Sequence, residues 1–332
     1  MASSIDLVTF GEALMRLTPP NHARLEQASS LDVHIGGSEF NTAIAAACLG
    51  TSARFITRLP ATPVGRLVRN KAREHGVDTS HIAWSDGDRV GKYFVERGAS
   101  PRANSVLYDR KESAVARIRP GDVDWQEAFD GARVFHTSGI TPALSDTATD
   151  TTLEAVRAAH DLGLLVSIDL NYRARLWSEK QAREVMSDIL QYADVLLTTE
   201  EDTARVFDIK EASYDAVAKR LTAEFDLQIV AITLRKTPSV WRNTWSAIAY
   251  ETKTDTVHSA PTFDIEVVDR VGSGDSFAGG FLHKLLQGEI EGAVRYGVGI
   301  SALKQTMPGD VVFATVEDVE RVLQGGGLRI VR

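Results

Sequence analysis

The stretch DRVGSGDSFAGGFL, residues 269–282, sets a carboxylate, Asp275, directly behind two glycines that bracket a serine. A run of small and apolar residues follows and reads as a helix that starts near Asp275. A helix N-terminus presents unpaired N–H groups and about half a positive charge. Glycines there let an anion come close to the main chain. From this stretch alone Asp275 has two uses, a cap for the first turn or a group that faces a ligand. A second glycine stretch, HIGGSEFNTAIAAACLG (34–50), places Gly36 and Gly37 ahead of Asn41 and another small-residue helix. Close approach to a polyhydroxylated ligand and a tight strand-to-helix turn both account for that pair. Asn41 offers one donor group and one acceptor, as sugar hydroxyls require.

Other patterns fail on spacing. GDRVGKY (87–93) is one residue short of a P-loop and puts Tyr93 where that loop has Ser or Thr. GSGDSF (272–277) has Phe277 in place of the third glycine of a dinucleotide fingerprint, which argues against a dehydrogenase. GDSFA (274–278) ends in alanine, so Ser276 is no nucleophile elbow. The eight histidines show no HExxH spacing, and His136 at a strand end reads as a structural hydrogen-bonder. Cys48, the single cysteine, excludes an internal disulfide, sits in an apolar run and fits a reducing compartment. A net charge of −8 argues against general nucleic-acid or anionic-membrane binding. No run approaches the roughly 20 apolar residues of a membrane span. The opening MASSIDLVTFGE lacks a signal-peptide pattern, so a cytoplasmic location is expected.

What must position these groups is an α/β fold. The 332 residues, 43% hydrophobic and 25% charged, have the balance of an ordinary globular protein. Apolar runs at 5–10, 53–57, 133–137, 164–170, 194–198 and 228–233 read as buried strands. Helical patterns lie between and after them at 39–49, 64–75, 145–162, 178–192, 211–225, 275–288 and 289–305. Such alternation predicts a mostly parallel, doubly wound sheet with ligands at the carboxyl ends of its strands. That edge receives Asp169, Asn171 and Arg173 of SIDLNYRARLW, and an arginine there can bridge a sugar carboxylate and nucleotide phosphates. Residues 15–36 and about 88–113 break the alternation with β-type residues, aromatics and charges. They are expected either to pair into one small sheet that covers the cleft or to remain two surface hairpins.

Together the two glycine stretches resemble the signature regions of the ribokinase-like, or PfkB, family of carbohydrate kinases. The first matches at Gly36, Gly37, Asn41 and Gly50, the second at Asp269, Gly272, Gly274, Asp275, Phe277 and Gly279–Gly280. The order of elements and the two insertions match too, so the resemblance covers nearly the whole chain as one domain, 1–332, with a β-sheet lid. It implies transfer of phosphate from ATP, with Mg²⁺, to a primary hydroxyl. Phosphoryl transfer is mainly positioning and stabilisation of spread charge. On that reading the amides of Gly272, Ser273 and Gly274 form the anion hole and Asp275 takes the proton of the attacking hydroxyl. Paired lids in related enzymes imply a homodimer through the lid.

GEALMRLTPP (11–20), SGITPALS (138–145) and SIDLNYRARLW (167–177) are similar to the branch acting on 2-keto-3-deoxygluconate. That resemblance implies Tyr93, Tyr108 and Arg110 closing over the sugar acid, with Arg110 and Arg173 against its carboxylate. Asn171 and Arg173 also serve the nucleotide on this reading. Many relatives carry Asn-x-x-Glu after the next strand; here TEED (199–202) keeps a hydroxyl at Thr199 and puts Asp202 where the metal-linked Glu is usual. Many relatives also have a glycine-rich nucleotide loop, whereas TLRKTPSVWRNTWSA (233–247) has no glycine and leaves Thr233, Arg235 and Asn243 as nucleotide-contact candidates. The expected function is phosphorylation of 2-keto-3-deoxygluconate to its 6-phosphate. The alternatives are another sugar (fructose, the galacto epimer or a related deoxy-keto sugar) and a sugar-acid sensor without catalysis.

Overall fold

Apolar four- and five-residue runs, too short for helices, form the central strands of the main sheet, and the longer β12 and β13 extend it. It comprises β1 (Leu7–Phe10), β4 (Ala53–Ile56), β9 (Val134–Ser138), β10 (Leu165–Asp169), β11 (Val195–Thr199), β12 (Ile229–Ser239), β13 (Arg242–Glu251), β14 (Thr256–Ser259) and β15 (Phe263–Glu266). The structure is a computed structural model that describes residues 5–325, so the first four residues of the N-terminal stretch lie outside it. The sheet order is β14-β13-β12-β11-β10-β9-β1-β4, with β15 also paired to β13. From β4 to β12 every pairing is parallel, while β13 is antiparallel to each of its partners. The chain runs from β1 outward to β4 and later back along β9 to β12 on the other side. This reversal of strand order leaves a crevice at the carboxyl ends.

The described residues form ten α-helices, most of them packed on the sheet: α1 (Ser38–Cys48), α2 (Pro63–Glu74), α3 (Trp125–Ala128), α4 (Asp146–Asp161), α5 (Glu179–Leu190), α6 (Glu200–Phe207), α7 (Tyr214–Phe225), α8 (Ser273–Leu285), α9 (Ile290–Gln305) and α10 (Val316–Leu323). Alternate residues of one strand serve opposite faces, as a pleat requires. Leu196 of β11 joins the core beneath α4, α5 and α7, while Val195 and Leu197 join the core beneath α8 and α9. None of the described helices is long and apolar enough to cross a membrane.

The two insertions meet. Strands β2 (Leu14–Thr18), β3 (Asp32–Gly36), β7 (Lys92–Glu96) and β8 (Ser105–Asp109) form one four-stranded sheet in the order β3-β2-β7-β8. Its β2–β7 pairing is parallel and the other two are antiparallel. A further pair, β5 (Arg58–Pro60) with β6 (Ala83–Ser85), lies apart. One expectation is corrected: residues 233–247 are not a nucleotide loop but most of a hairpin, with β12 and β13 in register from Ile229–Glu251 to Lys236–Thr244. Threonines and tryptophans supply the β-preference there, and Trp245 is buried against the α8–α9 side of the sheet.

Small residues bring α1 and α8 together. A Cβ added at Gly279 of α8 would lie 2.6 Å from the Ala45 Cβ and 2.7 Å from the Thr42 carbonyl oxygen of α1. On its other side α8 meets α9, where a Cβ at Gly280 would fall 2.6 Å from an Ile300 methyl. Gly279→Ala therefore overpacks the α1–α8 contact and should destabilise the fold by about 1–3 kcal/mol. Chemical denaturation of the variant and parent measures this, and equal stability of the two would contradict the packing argument.

Candidate active site

The N-termini of α1, α6 and α8 and the carboxyl ends of β10 and β11 converge on one cleft of about 730 Å³, with Tyr93, Tyr108 and Arg110 of the second sheet along one wall. Each helix start is built locally. Gly37 precedes α1 with φ +156°, and a Cβ there would strike the Glu12 carbonyl at 2.0 Å. Thr199 caps α6 by accepting from the Asp202 N–H at 3.0 Å. Gly272 precedes α8 at φ +84°, where a Cβ would lie 1.9 Å from the Asp310 carbonyl oxygen. Only glycine meets both demands at that point. At Gly274 a Cβ would meet nothing within 4 Å, so its α-carbon faces open space in the cleft.

Asp275 stands in the first turn of α8 and belongs to the ligand side, not to a cap. Its Oδ2 accepts from Asn41 Nδ2 at 2.7 Å and its Oδ1 from Ser38 Oγ at 3.0 Å. Asn171, in a left-handed conformation at φ +37°, donates to the same Ser38 hydroxyl at 2.9 Å. Burial pushes Asp275 up to about 6, with the Asn41 and Ser38 hydrogen bonds pulling it back. Burial and the Asp275 and Asp202 charges push Asp169 further, to about 8, against the pull of Arg173. Burial raises Asp202 as well, opposed first by Arg173. The Ser273 N–H turns to the Arg270 carbonyl at 3.3 Å, while the Gly274 and Asp275 amides have no acceptor among the described residues.

The sugar-side candidates lie together. Tyr93 and Tyr108 stack at 5.6 Å between ring centres, and the Arg110 guanidinium lies 5.5 Å above the Tyr108 ring. Arg110 is already engaged: its Nε donates to Glu12 Oε2 at 2.8 Å, and its Nη2 donates to the same oxygen. Tyr93 donates to the buried Asp310. Toward β12 the cleft carries Thr233, Arg235 and Arg270. Burial and the neighbouring Arg235 lower the Arg270 guanidinium below its usual range, and its buried Nε has no partner among the described residues. Arg270 Nη2 donates to the Val240 carbonyl at 3.1 Å, and neither guanidinium has a carboxylate partner among the described residues, so the two arginines are a natural seat for a polyphosphate. Among the described residues no cluster of three or more His, Cys, Asp or Glu side chains is arranged to hold a metal. The single carboxylates Asp169 and Asp202 fit a Mg²⁺ held mainly by phosphate oxygens and water.

Two of the expected site residues lie away from the cleft lining. Asn243 is buried in β13 and donates to Gln305 Oε1 at 2.6 Å, because its side chain falls on the core face of the hairpin. Gly36 abuts the Asp310 side chain, where a Cβ would be 2.6 Å from Cγ, and so serves packing. Sequence reasoning missed Ser38, Glu12, Arg270 and Asp310. Ser38 lay in plain view between Gly37 and Asn41, but a serine at a helix start reads as a cap. His136 is the structural group expected, buried with Nδ1 3.0 Å from Ser167 Oγ.

A doubly wound sheet, a separate small sheet over one wall and a half-buried carboxylate at a glycine turn define a ribokinase-like phosphotransferase. Residues 4–313 match the pfkB family of carbohydrate kinases, and the chain belongs to that family as an ATP-dependent sugar kinase. It is 39% identical over 328 residues, 98% of its own length and 99% of the relative's, to a 2-dehydro-3-deoxygalactonokinase of Haloferax volcanii. A 2-dehydro-3-deoxygluconokinase of Thermoproteus tenax is 31% identical over 310 residues, 92% of this chain and 90% of the relative. The crystal structure of a 2-dehydro-3-deoxygluconokinase from Thermotoga maritima superposes with a TM-score of 0.94 at 40% identity, covering 97% of this chain and 99% of that one.

Asp169, Asp275 and Glu39 share a consequence. Glu39, buried beneath Ser138 and Thr141, is pushed up to about 7 by burial. Each of the three binds its proton more tightly in the folded chain than in the unfolded one, where a carboxyl titrates near about 4. Protonation therefore stabilises the fold; that stability is complete below about pH 4 and is lost as pH rises through the folded values of about 6 to about 8. His34, His75, His136 and His283, lowered by burial, act in the opposite sense up to about pH 6.5. Without ligands, the melting temperature should therefore fall between about pH 7 and about pH 8. Asp169→Asn should melt higher than the parent at about pH 8, with the gap closing toward about pH 4; calorimetry showing equal melting at the higher pH contradicts the assignment.

Proposed function

We propose that the chain transfers the γ-phosphate of Mg·ATP to the terminal primary hydroxyl of 2-keto-3-deoxygluconate, giving the 6-phosphate. The observation that carries this reading is Asp275: a half-buried carboxylate pushed up to about 6, oriented by neutral donors beside the Gly274 amide, which has no acceptor among the described residues. A base of that strength is mostly ionised at neutral pH and accepts a proton readily in the transition state. The Gly272–Gly274 turn with the Asp275 amide holds the moving phosphoryl group. Asn41 and Ser38 aim the carboxylate, and the second sheet excludes water as a lid. Arg235 and Arg270, with Thr233 and Thr199, hold the nucleotide phosphates, and Arg173 spans the two substrates. Mg²⁺, when bound, neutralises charge on the phosphate oxygens, with Asp202 reaching its water shell.

The sugar-acid assignment rests on Arg110 and Arg173 in the cleft and on the two relatives named for the gluco acid. The galacto epimer is the second reading, favoured by the Haloferax volcanii relative's name. Neutral fructose offers Arg110 and Arg173 no carboxylate to meet. Coupled ADP release from Mg·ATP against the two epimers and fructose decides. Asp275→Asn should lose about 10²- to 10⁴-fold in kcat. Arg110→Ala should raise KM for the sugar acid by about tenfold or more, in keeping with the loss of a charge-assisted hydrogen bond. Full activity of Asp275→Asn, or turnover of fructose alone, would sink the reading.

The same reading includes a homodimer through the lid, in a reducing compartment such as the cytoplasm. Val33, Leu17, Phe94 and Leu107 are cross-strand partners in one row over the second sheet, with Val33 52% and Leu107 58% exposed. A second copy of the sheet would cover that row. Leu107→Asp should turn a dimer into a monomer in sedimentation; an unchanged mass for the variant refutes this interface.

A further inference from the structure

Lys304 is a fully buried charge that the proposed chemistry does not use. It lies in the last turn of α9, and its Nζ donates to the main-chain oxygens of Asp269 and Met307, both at 3.2 Å. A lysine that merely capped the helix end would need only the second of these. The first belongs to the turn that leads into Gly272. The two turns it joins are those that meet at the glycine loop, because the Asp310 carbonyl presses on Gly272. Asp269 adds parallel struts. Its Oδ2 accepts from Gly309 N at 3.3 Å and from Arg16 Nη2 at 2.6 Å, and its Oδ1 from Val271 N at 3.2 Å. Burial lowers Lys304 to about 8, with Asp269 and Asp310 pulling upward, so the ammonium is held there at a real desolvation cost. Packing alone would favour an apolar side chain of the same length.

We propose that Lys304 is a positioning residue for phosphoryl transfer. Its ammonium clamps the 269–272 turn to the 307–310 turn and thereby sets the direction of the Gly272 and Gly274 amides. This rests on the reading of those amides as the phosphoryl hole. Lys304→Ala removes the clamp and leaves room for a small cation between two carbonyls. The expected result is a fall in kcat of about 10- to 100-fold, the scale of lost supporting contacts, with KM for the sugar acid nearly unchanged. Ammonium or ethylammonium chloride should restore kcat saturably, and tetramethylammonium chloride at equal ionic strength should not. Lys304→Met, which fills the space, should lose kcat without rescue. A Lys304→Ala chain that folds only with ammonium present is also as expected.

Retention of parental kcat by Lys304→Ala overturns the proposal. So does a loss that small ammonium ions never restore, whether the variant is folded or not. Asp275→Asn in the same assay separates the two readings. If it too keeps activity, the placement of the phosphoryl hole fails; if it loses activity while Lys304→Ala keeps it, only the clamp fails.

Discussion

A carboxylate kept largely out of water, held by neutral donors and not by a cation, is the constraint on which the site depends. In water Asp275 would be a weak base. Had the partner of its Oδ2 been a lysine, the charge would have pulled its pKa down and undone the effect of burial. Asn41 Nδ2 and Ser38 Oγ orient the two oxygens and leave most of the desolvation in place. Both donors come from α1, so the chemistry of α8 is set by a helix more than 200 residues away in the chain, as the separations of 234 and 237 positions show. The fold holds them in reach through the glycine and alanine contact of α1 with α8, and Thr42 reinforces it by donating to the Asp275 carbonyl at 3.2 Å.

Charge in the cleft is segregated. Asp169, Asp202 and Asp275 crowd at the ends of β10 and β11 and the start of α8, and mutual repulsion contributes to the upward shift of Asp169. Arg235 and Arg270 both line the cleft toward the hairpin, and burial together with Arg235 disfavours the charge on Arg270. Neither group is the arrangement of lowest energy for the chain by itself. A polyphosphate relieves the second, and the positive start of α8 eases the first without neutralising it. Sites that do chemistry commonly hold such locally unfavourable charge, because the surrounding core supplies the stability.

Much of the fold was legible because its strands are fully buried and its helices amphipathic, so hydrophobic period and length distinguish them. Six short apolar runs became β1, β4, β9, β10, β11 and the start of β12. The glycine turns were legible for a different reason: Gly37 and Gly272 answer to backbone sterics that no other residue meets. What failed was side-chain direction. Asn243 carries the right groups for a nucleotide contact, yet the pleat of β13 turns it inward to Gln305 while its neighbour Trp245 fills the core. The hairpin itself was hidden because 233–247 was compared with the relatives' nucleotide loop, and its threonines and tryptophans were not weighed as strand formers. Arg270 was passed over as part of a motif, and only its position beside Arg235 gives it meaning.

The Glu12–Arg110 pair bears on how a sugar acid is distinguished from a neutral sugar. A free guanidinium would attract any anion into the cleft, the nucleotide included. With Glu12 nearly fully buried and taking two of the five N–H groups, Arg110 brings little net charge. What remains is a fixed fork of donors above the Tyr108 ring, useful to a carboxylate that arrives in the right plane and of little use to a phosphate elsewhere. On the proposed assignment, recognition at this end depends on direction more than on field strength, and the stacked Tyr93 supports the geometry from below through its bond to Asp310. Since Asp310 also presses its carbonyl on Gly272, the wall assigned to the sugar and the turn assigned to the phosphoryl group share one buried residue. A displacement of either is felt by the other.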